Sequence, residues 1–367
     1  MREQDKFRGC LIGGAAGDAL GYAVENLSEE QIVRKYGAKG ILGYDLSFGS
    51  GRISDDTQLT LFTATGLLGG TTRGLRRGIQ ASYTSYINDS YKDWLRTQTE
   101  PYPLKKAHHY SWLVNLPGMF VRRTPEVACI SALRTGGGGT TKNAINQSAG
   151  CSGFVRTAPV GLYFCDRMQW IEKEVDRLGA EVAALTHGHV LGWLPAAAYT
   201  HIIRKIAQDG FAAEDACQDV LMKIGRYFPD NDDLPELTEK LEQAMDFARK
   251  PGYDLAAIHR LGEGKRAHEV LGIAVYCALR YSGDFDRALI VAVNHGGKSD
   301  SAGSVTGSIL GAALGYRNLP QKYAQKIELQ DIILEVADDL WKDCPLDRSV
   351  PLEPVWEDKY VSMTYDE

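Results

Sequence analysis

Two short segments far apart in the chain gather oxygen donors: Ser54-Asp55-Asp56-Thr57, and His295-Gly296-Gly297-Lys298-Ser299-Asp300-Ser301, each opening an apolar run. Magnesium and similar hard divalent cations take carboxylate and hydroxyl oxygens and dehydrate reluctantly. Two such turns brought together would suit them. Lys298 is the exception, because a positive charge among the donors opposes a cation there. Asp55 and Asp56 precede Leu59, Leu61, Phe62 and Leu67, so they belong at a helix N-terminus. Acidic side chains there satisfy free amides and complement the helix dipole. Capping alone would explain that pair. Ser299-Asp300-Ser301, at a second loop-to-helix junction, adds weight to a shared cation.

Other chemistries find less support. Gly297-Lys298-Ser299 resembles the end of a phosphate-binding G-x-x-x-x-G-K-[ST] loop, but Ala292 stands where the first glycine is required, although Ala288 to Val293 could pass for the preceding strand. Gly136 to Gly139 followed by Thr140-Thr141-Lys142 has its lysine after the threonines, the wrong order for that loop, and reads as a flexible turn. His187 and His189 have no thiol or carboxylate at zinc-ligand spacing. There is no Gly-x-Ser-x-Gly elbow, and Cys151 has no adjacent base, so nucleophilic hydrolysis is disfavoured.

The elements that must position these residues are helical. Asp56 to Leu68, Ile171 to Leu185, Val190 to Ala207, Ala213 to Tyr227, Leu234 to Ala248, Ala267 to Tyr281 and Ser301 to Leu314 repeat apolar residues at three- and four-residue steps. Alternating strands are few, so an all-α fold follows. Gly303, Gly307, Gly311 and Gly315 form a smooth stripe that admits a close backbone neighbour. Glycine- and asparagine-rich loops at 40–51, 136–153 and 294–297 are where a site would sit.

A chain of 367 residues with 44% hydrophobic and 24% charged content is that of a globular protein with a sizeable core. The net charge of −6 is not gathered into blocks, and no basic stripe of the nucleic-acid-binding kind is present. Seven scattered cysteines, never spaced as Cys-x-x-Cys, read as buried thiols in a reducing compartment. The apolar stretch from Cys10 to Leu20 is too short and glycine-rich to span a membrane. We therefore expect a cytoplasmic protein with no membrane partner. Residues 1–345 read as one domain, and the acidic, aromatic end at 346–367 as a tail wrapping the surface or partly ordered.

Taken together, several segments resemble the ADP-ribosylglycohydrolase family, the relatives of dinitrogenase-reductase-activating glycohydrolase and the ADP-ribosylarginine hydrolases. They are Gly9 to Gly21 with Glu25, Gly51-Arg52-Ile53-Ser54-Asp55-Asp56-Thr57, Gly150 to Pro159, Leu185-Thr186-His187, and Asn294 to Gly303, in the family's order. The resemblance implies an orthogonal helical bundle with a binuclear magnesium or manganese centre. It implies Ser54, Asp55, Asp56, Asp300 and Ser301 as metal ligands, and Glu25 as an acidic residue flanking the cleft and acting in proton transfer. It implies Ser152-Gly153-Phe154 as the ADP-ribose cradle and His187 as a substrate-side histidine. The catalytic candidates are Glu25, Asp55, Asp56 and Asp300, since glycoside cleavage commonly divides its work between two carboxyl groups. The implied partners are ADP-ribosylated protein and ADP-ribose, with a cognate ADP-ribosyltransferase also compatible. The wording around His295-Gly296-Gly297 is closest to the arginine-type hydrolases.

Lys298 departs from the pattern, which has a ligating aspartate there. A unit pair at 4 Å is worth roughly 4 kcal/mol at an effective dielectric of 20, so the two-unit change costs on the order of 8 kcal/mol. One cation or none, rather than two, is the expectation. A one-metal enzyme, a non-catalytic ADP-ribose- or partner-binding relative and an inactive engineered variant all remain open from sequence.

Overall fold

Glycine repeats on two helices decide how the chain comes together. In the computed structural model, residues 3–79, 82–105, 108–164, 171–345 and 349–362 are described. They form helices α1 (Gln4–Tyr22), α2 (Glu29–Tyr36), α3 (Asp55–Arg77), α4 (Tyr83–Thr99), α5 (Val127–Arg134), α6 (Ser152–Val155), α7 (Ala158–Tyr163), α8 (Glu172–Ala184) and α9 (Val190–Ala207). The chain continues through α10 (Ala213–Tyr227), α11 (Leu234–Arg249), α12 (Asp254–Leu261), α13 (Ala267–Arg280), α14 (Phe285–Val293), α15 (Ser299–Leu314), α16 (Gln321–Ala324), α17 (Gln330–Lys342) and α18 (Pro354–Tyr360). Among the described residues there is no strand, only an isolated parallel bridge between Gly51 and Ile327. The fold is all-α.

The stripe on α15 meets its counterpart on α1, which runs antiparallel to it. A Cβ added at Gly13 would lie 2.2 Å from the Gly307 carbonyl oxygen, and one added at Gly17 would lie 1.8 Å from that of Gly303. Only hydrogen fits in that space. The backbones therefore approach far more closely than side chains allow, and this contact sets Asp18 on α1 beside Asp300 at the start of α15. Around it packs one continuous apolar core.

Several details differ from the sequence expectations. Ala288 to Val293 lies in helix α14, not a strand, which removes the strand a phosphate-binding loop would follow. Helix α15 begins at Ser299 rather than Ser301, so Asp300 and Ser301 lie inside its first turn. Helix α3 runs on to Arg77, beyond the expected Leu68. Helix α1 is apolar nearly all round, which hides its period, while α4 buries Ile87, Tyr91 and Trp94 at helical steps among polar residues. Apart from these differences, in the described residues 349–362 Trp356 and Tyr360 are buried in a clasp, Trp356 Nε1 donates to Thr72 Oγ1 at 3.2 Å, and Arg73 Nε donates to the Tyr360 carbonyl at 3.2 Å.

The cysteines at positions 10, 129, 151, 217, 277 and 344 are free and buried, while Cys165 lies outside the described residues.

Candidate active site

Ser54 caps α3: its Oγ accepts from the Asp56 amide at 3.1 Å, which aims Asp55 and Asp56 inward from the first turn. Asp55, Asp56, Asp300 and Ser301 are all buried. The two junctions are joined directly, because the Ser301 hydroxyl donates to Asp56 Oδ2 at 2.6 Å. Segments nearly 250 residues apart thus share one acidic cleft, as the separation of 245 positions between Asp56 and Ser301 records.

Two further carboxylates complete it, and neither was singled out from sequence. Asp18 is fully buried in α1; its Oδ2 accepts from the Ser54 and Thr57 amides at 3.0 and 3.2 Å and from the Thr57 hydroxyl. Its signal was available, since an aspartate inside a glycine- and alanine-rich apolar helix is a buried charge that needs a reason. Glu126 precedes α5; its Oε1 accepts from the Cys151 amide at 2.9 Å and its Oε2 lies 2.9 Å from His187 Nε2. Nothing in its local sequence marked it.

Crowding of like charge away from water governs the electrostatics. Burial, with repulsion from Asp300, raises the Asp18 pKa to about 7. Burial, with repulsion from Asp18, raises that of Asp56 to about 8. Asp55 and Asp300 are pushed well above the usual range by burial and by their carboxylate neighbours. Glu126 behaves oppositely: burial would raise it, but the hydrogen bond and charge of His187, with Lys298 further off, bring it down to about 2.

Lys298 answers part of this negative charge. Its Nζ lies 2.7 Å from Glu25 Oε1, while the Thr124 hydroxyl donates to Glu25 Oε2 at 2.9 Å. Burial alone would lower the lysine's pKa, but Asp300, Glu25 and Glu126 outweigh it and raise the value. The ammonium therefore turns to Glu25. Thr124 reaches the same carboxylate from a left-handed backbone conformation, φ 50°, which is an outlier for a β-branched residue.

The expected cradle lies on the other side of the Glu126–His187 pair. Ser152-Gly153-Phe154 is a buried turn of helix. The Phe154 ring is core, set edge-on to Tyr199 with centroids 6.1 Å apart, and its amide donates to the Cys151 carbonyl at 3.0 Å. Its ring and its amide are thus both engaged within the fold. Ser152 fits better, with a buried hydroxyl that has no partner. His187 is wholly buried, with Nδ1 at 2.8 Å from Thr186 Oγ1; a Cβ at Gly153 would lie 2.7 Å from that nitrogen. It supports Ser152-Gly153 from beneath.

The donor set fits a hard cation. Asp18 Oδ1, Asp55 Oδ2 and Asp300 Oδ1 are buried acceptors without a partner. An unsatisfied buried acceptor is costly, and a divalent ion would satisfy several at once. No three of these carboxylates bring ligand atoms as close together as Glu172, His201 and Asp219, which lie within 4.8 Å of one another elsewhere in the molecule. That second set can hold a metal by spacing, but its charge is already answered: Lys223 Nζ lies 2.8 Å from Glu172 and 2.7 Å from Asp219, and Lys205 Nζ lies 3.2 Å from Glu172. Mg²⁺ commonly takes only one or two carboxylates and keeps its water, which suits the wider cleft.

The chain is 27% identical over 344 residues to an uncharacterized protein of Archaeoglobus fulgidus, covering 92% of this chain and 97% of that one. Among solved structures, a chain described as ADP-ribosylglycohydrolase-related protein complex shares the fold, with a TM-score of 0.58, 22% identity, and coverage of 92% of this chain and 98% of that one. Residues 1–349 match the family model described as ADP-ribosylglycohydrolase, and the chain, with the acidic cleft its two helix junctions build, belongs to that family.

Proposed function

We propose that this cleft hydrolyses the N-glycosidic bond joining ADP-ribose to a protein side chain, with arginine as the first candidate. The observation that carries the reading is the union of the two junctions through Ser301 and Asp56, with partnerless oxygens on Asp18, Asp55 and Asp300 around it. These residues and the Ser54 and Ser301 hydroxyls would hold Mg²⁺ or Mn²⁺. The bound ion would grip ribose hydroxyls and polarise water. Glu25, at the side of the cleft, would serve proton transfer once Lys298 releases its Oε1, and the remaining acids orient the sugar. Ser152, backed by His187 and Glu126, would offer the diphosphate its partnerless hydroxyl. The preference for arginine rests on the resemblance of the segment around His295. The scattered buried thiols support a cytoplasmic setting. A cognate transferase is the partner such a hydrolase would oppose.

The test is release of ADP-ribose from ADP-ribosylarginine protein in saturating Mn²⁺, beside calorimetry with ADP-ribose. The salt bridge from Lys298 to Glu25 favours a second reading, a protein that binds ADP-ribose without turning it over. Binding without release would select it, and absence of both would sink the assignment. Lys298→Asp restores an oxygen donor and should raise turnover by roughly a hundred- to thousandfold, equivalent to about 3–4 kcal/mol of transition-state stabilisation.

A further inference from the structure

The partners of the cleft carboxylates divide them into two halves. In one half, every oxygen of Glu25 is used: Lys298 Nζ holds Oε1 at 2.7 Å and the Thr124 hydroxyl holds Oε2 at 2.9 Å. The side chain of Glu25 is 3% exposed and that of Lys298 25%, so the pair is shielded and fixed. In the other half, Asp18 Oδ1, Asp55 Oδ2 and Asp300 Oδ1 are buried with nothing to bond. Oxygens left unsatisfied so deep in a protein point to a cation that belongs there.

We propose that Lys298 is a resident cation of this cleft, clamped by Glu25 and Thr124, and that the cleft accepts a single divalent ion, on the side of Asp18, Asp55 and Asp300. The inference rests on the reading of the cleft as a cation site given above and specifies how many ions it takes. A divalent ion next to Glu25 would have to displace the ammonium from its carboxylate and lie beside it unscreened. An ion at the unpartnered oxygens displaces no ammonium and meets Lys298 only as a repelling charge that also acts on Asp300. Thr124 takes part because its strained backbone delivers the hydroxyl that holds Glu25 Oε2 while Lys298 holds Oε1.

The test is Mn²⁺ titration of the full chain by calorimetry, with bound ion counted independently by electron paramagnetic resonance, so that no activity is needed. The wild-type protein should take one ion, Lys298→Asp two, and Asp55→Asn none. Lys298→Met provides a check should the aspartate variant fold poorly: it should still take one ion, bound roughly tenfold tighter because a repelling unit charge is gone. Two ions in the wild-type protein, or one in both the wild type and a folded Lys298→Asp, would overturn the inference while leaving the proposed function standing. ADP-ribose calorimetry run in parallel tests that function separately. No ion in any form would overturn the inference whatever ADP-ribose does.

Discussion

Single residues in this cleft do opposite things with the same charge. Asp56 is buried and Glu126 half-buried, yet the first is raised to about 8 and the second lowered to about 2, because burial and Asp18 act on the first while His187 and Lys298 answer the second. Thr124 shows that a side chain can matter through its backbone. Thr124→Gly would relieve roughly 1–3 kcal/mol of left-handed strain, so the fold should hold or gain slightly in a thermal melt. The hydroxyl on Glu25 would nevertheless be lost. We expect the hydrolysis rate to fall in Thr124→Gly and to survive in Thr124→Ser. Equal rates in the glycine and wild-type proteins would remove Thr124 from the mechanism.

At the scale of elements, the α1–α15 contact and the α8–α9–α10 contact are held by different forces. The first is steric. A methyl group at Gly13 would meet the Gly307 carbonyl at 2.2 Å, so Gly13→Ala must force the helices apart and should cost about 3 kcal/mol in urea melts, with Asp18 drawn away from Asp300. Unchanged stability would mean that the backbones are not in contact. The second is ionic. His201 on α9 lies 2.8 Å from Asp176 on α8 and 2.8 Å from Asp219 on α10. Burial would lower its pKa, but the bond to Asp176, reinforced by Asp219 and Glu172, outweighs this and raises it above 6.5. A proton held more tightly in the folded than in the unfolded chain contributes stability that is complete below about pH 6.5 and lost as pH climbs through the folded-state value. The stability advantage of the wild-type protein over His201→Gln should therefore shrink between pH 6 and pH 9. Denaturant melts across that range measure it, and a gap growing with pH would refute the assignment of charge.

For the whole molecule, the chain end closes what its beginning builds. Trp356 and Tyr360, rings 4.7 Å apart, press on α3, the helix that carries Asp55 and Asp56, and the Tyr360 hydroxyl donates to Asp339 on α17 at 2.7 Å. Removing a buried indole leaves a cavity, so Trp356→Ala should cost about 3–5 kcal/mol by calorimetry. A negligible change in melting would show the clasp to be ornamental. Among the described residues, no helix is long and apolar enough to cross a membrane.

Local pattern alone determined the all-helical class and much of the acidic cleft. Val190–Ala207 and Ala213–Tyr227 span the same residues in sequence and structure, because their apolar steps repeat at the helical period. The junction acids were legible for a similar reason: Ser54-Asp55-Asp56 and Ser299-Asp300-Ser301 are oxygen donors at helix starts. The glycine stripe on α15 announced a close neighbour without naming α1. Tertiary structure alone decided the rest. Glu126 joined the cleft because its helix start lands beside His187, 61 positions away, and the Phe154 ring packs edge-on to Tyr199. Lys298 could be seen to disturb a cation site, but only the fold brought Glu25 within 2.7 Å of it. Periodicity and capping are encoded by neighbours in the chain, whereas the partner of a charge is set by which distant segments the packing brings together.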